Sequence, residues 1–285
     1  MKNLILQTAT DTAAPTALIE QLTRLTQAKA VDPLPPHAWR LRDVADDEVI
    51  RLRTAALCEQ QKIDCAFVPA GQKLSDYRLV AMDMDSTLIT IECIDEIADL
   101  VGLKKEVAAI TEATMRGEIA DFKESLRRRV ALLKGIEYST LDKIYQDRLR
   151  LSLGAEAMLS GAKAAGLDTL LVSGGFTFFT DKLKQRLALD HAHANILGVR
   201  DGKLTGEVDG DIVDAEGKKH YVEEICEYMD INPTQAIVLG DGANDLKMMS
   251  IAGISVAFRA KPVVRAQTTY ALNFAGLDGI LNWFE

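Results

Sequence analysis

Cysteine is scarce: four residues, Cys58, Cys65, Cys93 and Cys226, stand at no C-x-x-C spacing and in no cluster. That excludes a disulfide framework and a zinc ribbon, and predicts reduced, partly buried thiols in a cytoplasmic protein. Basic charge is in deficit, with 33 Lys and Arg against 42 Asp and Glu and a net charge of −9. A nucleic-acid partner favours a basic face, so none is expected. No apolar run approaches the roughly 20 residues that cross a bilayer, so no membrane partner is expected either. The opening MKNLILQTATDT carries one lysine and a very short apolar run, too little for a signal peptide. No internal repeat or low-complexity segment stands out.

What remains is the composition of a soluble globular protein, 48% hydrophobic and 26% charged over 285 residues. That length suffices for one large domain or two. Residues 3–9 (NLILQTA) read as a strand and 15–28 as a helix opened by Pro15, with Leu18, Ile19, Leu22 and Leu25 on one face. A short extended piece around Trp39, a helix near 46–61 and a strand at 64–68 complete a small α+β unit. A boundary is placed near residue 77, after the polar stretch AGQKLSDYR.

From Arg78 onward, buried-strand candidates (RLVAMD, LDTLLVS, QAIVLGD, ISVAF) alternate with helices. This predicts an α/β fold with a parallel sheet covered on both faces. About sixty residues after the first strand are helical throughout, and Asp121 with Glu124 reads as a capping box within them. They are expected to form an inserted helical cap.

Ligands of an open parallel sheet bind beyond the carboxyl ends of its strands. Three strands here end in DMDST (83–87), SGGF (173–176) and GDGAND (240–245), and Lys218 sits just before a helix that precedes the third of them. Asp83, Asp85 and Asp241, with Asp245 a further candidate, would converge in one crevice. Unit charges about 4 Å apart interact by roughly 4 kcal/mol at an effective dielectric of 20, so such a cluster needs a cation or protons. An all-oxygen site with room for water suits Mg²⁺. Lys218 and the open backbone N–H groups of SGGF would hold a phosphate. A carboxylate can attack phosphorus, and a second one can protonate the leaving alcohol. Two acids with opposite tasks explain the D-x-D spacing.

In this order, DMDST, SGGF, Lys218 and GDGAND resemble the four motifs of the haloacid dehalogenase superfamily, over roughly residues 78–280. The longer strings DMDSTLITIECIDEIADLVGL, DFKESLRRRV and VLGDGANDLKMM are similar to the branch that hydrolyses O-phospho-L-serine in serine biosynthesis. The resemblance implies a Rossmann-like parallel sheet with a helical cap at about 90–152 within a unit spanning 78–285. It implies Asp83 as nucleophile and Asp85 as acid and base. Mg²⁺ would be held by the Asp83 carboxylate, the Asp85 backbone carbonyl and Asp241. Phosphate oxygens would fall to Ser173 and Gly174, with Lys218 neutralising charge and Asn244 orienting the substrate. In the cap, Glu92 would meet the serine ammonium and Arg129, rather than Arg127 or Arg128, the carboxylate. Met115 and Phe122 would line the apolar side.

Other readings stay open. The same fold could act on another small phosphomonoester or transfer phosphate to an acceptor such as homoserine. Lys219 competes with Lys218 for the third motif. His191 and His193 form an H-x-H pair, but no further ligand lies near in sequence, so they are read as strand or surface residues. Residues 1–77 resemble small ACT-like extensions, yet count one strand short of βαββαβ. They could instead bind serine or a partner. Self-association to a homodimer also stays open.

Overall fold

Residues 2–69 build a four-stranded antiparallel sheet in the order β2-β3-β1-β4, with two helices on one face. In this computed structural model, which describes residues 1–9, 15–116, 118–119 and 121–285, the unit runs β1 (Lys2–Gln7), α1 (Thr16–Thr26), β2 (Ala30–Leu34), β3 (Ala38–Val44), α2 (Glu48–Gln60) and β4 (Asp64–Pro69). This is a complete βαββαβ unit, so the count of one strand too few is corrected. The missed strand is β2, AVDPL. Its exposed residues and its proline give no apolar alternation, as suits an edge strand.

Alternation along β1 sets the unit's two contacts. Leu4 and Leu6 pack with Leu18, Leu22 and Cys58 beneath the helices. Ile5, with Ala66 and Val68 of β4, joins instead the large core that contains Trp283 and Phe284. Polar residues on this second face are matched as well. Gln7 Oε1 accepts from Asn282 Nδ2 at 2.8 Å, and Arg40 donates to the Phe284 carbonyl at 2.6 Å.

The second sheet has seven strands, in the order β11-β10-β9-β5-β6-β7-β8. They are β5 (Leu79–Met82), β6 (Asp168–Phe176), β7 (His191–Arg200), β8 (Lys203–Asp209), β9 (Ala236–Gly240), β10 (Ile254–Phe258) and β11 (Tyr270–Leu272). All neighbours are parallel except the β7–β8 hairpin. Helices α7 (Ala155–Ala164), α8 (Thr177–Leu187), α9 (Ala215–Tyr228), α10 (Leu246–Met249) and α11 (Pro262–Arg265) connect them. From β5 the chain proceeds to β6 on one side and later to β9 on the other, so a topological switch point lies at the carboxyl end of β5.

Between β5 and α7 lie α3 (Cys93–Leu100), α4 (Lys104–Met115), α5 (Phe122–Ala131) and α6 (Thr140–Lys143), the last continuing through Arg148. The entry and exit of this helical cap meet as a neck, where Ile89 pairs with Leu151 and Thr90 N donates to Arg150 O at 3.0 Å. Asp121 caps α5 by accepting from Glu124 N at 2.8 Å. No described residue belongs to a helix long and apolar enough to cross a membrane.

Candidate active site

The chain leaves β5 at Met82 and reverses within five residues. Ser86 makes the reversal with φ of +56°, a left-handed conformation costing a non-glycine residue about 1–2 kcal/mol. Hydrogen bonds from Leu88 N to Asp83 O (3.3 Å) and Ile89 N to Met84 O (3.0 Å) close the loop. Asp83 is buried, and its Oδ1 accepts from Met84 N at 2.7 Å.

Lys218 Nζ lies 2.8 Å from Asp83 Oδ1 and 2.8 Å from Asp245 Oδ1, with the lysine only 1% exposed. Lys218, expected just before a helix, stands in the first turn of α9. The helix starts earlier because Asp214 caps it, accepting from Gly217 N at 2.9 Å. Lys219 points elsewhere and pairs with Glu223.

Asp245, the further candidate of the acid cluster, belongs to the site. It is fully buried, and its Oδ2 accepts from Gly242 N at 3.0 Å. A Cβ at position 240 would sit 2.4 Å from the Asp245 Cγ, so a glycine there lets this side chain fold back. The signal was present as the second aspartate of GDGAND.

Carboxylate oxygens of Asp83, Asp241 and Asp245 all lie within 4.8 Å of one another. Asp241 Oδ1 also accepts from Thr87 Oγ1 at 3.2 Å. One lysine cannot balance these acids. Burial and the Asp245 charge push Asp83 well above the usual carboxylate range against the pull of Lys218. Burial, with Asp245 and Glu92, raises Asp241 to about 6. Lys218 is raised because the neighbouring acids outweigh its burial, and it stays charged. Surplus negative charge in an all-oxygen donor set is chemistry that suits a hard divalent cation.

The Asp85 carboxylate lies outside that cluster and lines the cavity. Its Oδ1 is buried and makes no hydrogen bond. Burial and the Glu92 charge raise it to about 7, while hydrogen bonds from the Cys93 thiol and backbone pull the other way.

Opposite stands the SGGF loop, where β6 bulges against β7: Val172 pairs with His193 and Phe176 with Asn195. Ser173 Oγ accepts from Gly175 N at 2.9 Å. A Cβ on Gly175 would stand 2.9 Å from Met84 Cε and 3.2 Å from Asp85 Oδ2, so any side chain there would crowd both.

The cap closes a cavity of about 290 Å³ over these groups. Phe122, Ser125, Leu126 and Arg129 line it at helical spacing along α5. That periodicity puts Arg127 and Arg128 outside, where both are exposed and Arg128 pairs with Glu124 at 2.7 Å. Glu92 faces the cavity and accepts from Ser86 Oγ at 2.6 Å. Asn244 and Gly174 line it too, whereas the side chain of Met115 lies outside the described residues. His193 stacks on Tyr221 at 4.1 Å, and His191 approaches Asp168 at 3.6 Å. Neither belongs to a metal-type cluster among the described residues.

The sequence profile of haloacid dehalogenase-like hydrolases matches residues 77–253. A phosphoserine phosphatase of Polaromonas sp. is 58% identical over 213 residues, covering 73% of this chain and 90% of that relative. A crystal structure of a HAD family hydrolase from Salmonella enterica serovar Typhi superimposes with a TM-score of 0.89 at 31% identity, covering 100% of this chain and 99% of that one. The unliganded probable phosphoserine phosphatase of Vibrio cholerae gives 0.84 at 34% identity, covering 99% and 85%.

Proposed function

The chain belongs to the haloacid dehalogenase-like hydrolases, in their phosphoserine phosphatase branch, and we propose that it hydrolyses O-phosphoserine to serine and phosphate with Asp83 as nucleophile. The observation that carries this reading is the buried Asp83–Lys218–Asp245 array facing both the SGGF loop and the unpaired Oδ1 of Asp85. Only a ligand that is anionic at one end and leaves through an oxygen uses all of these at once.

In the first step an Asp83 oxygen bonds to phosphorus and the bond from phosphorus to the serine oxygen breaks. The departing electron pair takes a proton from Asp85, whose raised affinity supplies it near neutral pH. Water then attacks the aspartyl-phosphate, gives its proton to Asp85, and releases phosphate and the Asp83 carboxylate. Ser173 and the SGGF amides hold the phosphoryl oxygens, and Lys218 offsets their charge. Asp83, Asp241 and the Asp85 carbonyl would hold Mg²⁺, with Asp245 keeping Lys218 in place. Bound there, the ion would neutralise phosphate charge that otherwise repels the nucleophile.

Substrate choice falls to Glu92 for the ammonium and Arg129 for the carboxylate, with Phe122 as the apolar wall and Asn244 at the phosphate end. Residues 1–77 are assigned as a separate α+β unit, which the complete βαββαβ topology supports. The test is phosphate release from a panel of phosphomonoesters, with Mg²⁺ and with EDTA. O-phosphoserine should be turned over best and only with the ion. Preference for a sugar phosphate would overturn the substrate assignment.

A further inference from the structure

We propose that Asn195 is a positioning residue that locks the phosphate-binding loop to the helix carrying Lys218; this rests on the phosphatase reading above. Asn195 is 1% exposed, and both ends of its amide are used. Nδ2 donates to the Gly174 carbonyl at 2.8 Å, and Oδ1 accepts from Val213 N at 2.8 Å. A backbone N–H can only donate, so the Val213 contact fixes which end is oxygen and leaves the NH₂ for Gly174.

Each contact leads to the site. In a trans peptide the N–H points away from the C=O. Holding the Gly174 carbonyl toward Asn195 therefore turns Gly175 N–H the other way, onto Ser173 Oγ at 2.9 Å. With that lone pair occupied, the Ser173 hydroxyl hydrogen is free for a phosphoryl oxygen. On the other side, Val213 precedes Asp214, the cap of α9, and Lys218 N donates to Asp214 O at 2.8 Å. The side chain thus spans the bulge between β6 and β7 and hydrogen-bonds two phosphate-facing elements that otherwise meet through apolar packing. No other described side chain bonds both the Gly174 carbonyl and the Val213 amide.

The test uses the full chain with Mg²⁺ and two probes, inorganic phosphate and L-serine, titrated calorimetrically into wild type, N195L and N195D, with thermal melting alongside. N195L keeps shape but loses both hydrogen bonds. Its phosphate affinity should fall about tenfold or more, in the range seen when a supporting hydrogen bond is removed, with serine affinity unchanged. N195D at pH 7.5 turns a carboxylate oxygen on the Gly174 carbonyl and should match N195L. At pH 5.5 a protonated acid can donate there, so its phosphate affinity relative to wild type should recover. Unchanged phosphate affinity in N195L, or equal weakening of phosphate and serine, overturns the proposal. Should N195L fail to fold, absence of recovery in N195D does so. Wild type that binds no phosphate overturns the functional reading itself, an outcome distinct from a binding wild type with indifferent variants.

Discussion

Lys218 and Asp245 form a buried pair at 2.8 Å, and the lysine spends its remaining reach on Asp83. One cation thus fixes Asp83, the proposed nucleophile, and a second acid of the cluster together. In Lys218→Met the three acids keep their places without an internal cation. Removing one partner from a buried ion pair costs about 3–5 kcal/mol. Thermal and denaturant unfolding at pH 7.5 in EDTA should show a loss of that order, shrinking at pH 5.5 as the acids protonate. A loss independent of pH would mean that the lysine acts through packing alone.

Asp83→Asn should fold and should not turn over. The amide cannot attack phosphorus, and losses for a removed nucleophile reach about 10⁴-fold or more. Stability in EDTA should hold, because Asp245 still pairs with Lys218 and one negative charge leaves the cluster. Phosphate release and a melting curve check the two halves separately. Residual turnover near the wild-type rate would remove Asp83 from the chemistry.

The pH dependence of the metal-free protein follows from the raised acids. Asp241, at about 6 in the folded chain, lies above its ordinary value of about 3.9. The folded state therefore binds more protons than the unfolded one across that interval, and the contribution of this group to stability falls as pH rises from about 4 to about 6. His193, lowered chiefly by burial, works in the opposite sense. The difference between wild type and Asp241→Asn isolates the acid: in EDTA the variant should gain on wild type between pH 4.5 and 7. Mg²⁺ should reverse that gain at pH 7. A constant difference across the range would refute the assignment.

Most of the site could be read from the sequence because strand ends announce themselves: an apolar run stopping at DMDST, SGGF or GDGAND fixes where its polar residues go. Arg129 was singled out by the resemblance, and the helical spacing of α5 puts it on one face with Phe122, Ser125 and Leu126. What escaped was non-local. Asp245 is legible as a candidate acid, but its pairing with Lys218 depends on the space that Gly240 leaves it, and Asn195 has no motif because its partners lie 21 and 18 residues away. The edge strand β2 escaped for a different reason: half-exposed and interrupted by Pro33, it carries no period-two signal.

Arg129 and Arg128 are adjacent, and only the first faces the cavity. Arg129→Ala should raise the KM for O-phosphoserine by about 10- to 100-fold, the weight of a hydrogen bond between charged groups, with little effect on an aryl phosphate lacking the carboxylate. Arg128→Ala removes an exposed pair with Glu124 worth about 0–1 kcal/mol and should leave both substrates unaffected. Steady-state kinetics of the two variants on the two substrates decide the matter. Equal losses on both substrates in Arg129→Ala would deny it the role of carboxylate partner.

Asp64 ties the first unit to the second at a point remote from the chemistry. It is 3% exposed, and its carboxylate accepts from Asn273 N (2.8 Å), Phe274 N (2.9 Å) and Ala275 N (2.8 Å). Burial raises its pKa, and these three donors offset only part of that rise. Asp64→Ala strands all three amides beneath β4, where each unsatisfied group costs about 1–3 kcal/mol, so stability should fall by roughly 3 kcal/mol or more. Asp64→Asn, which keeps one acceptor oxygen, should fall between. Because Asp64 touches neither the acid cluster nor the cavity, kcat and KM of the folded fraction should stay at wild-type values. Denaturant unfolding and steady-state kinetics on the same preparations separate these effects, and a loss of kcat without a loss of stability would show that the first unit acts on catalysis rather than on docking.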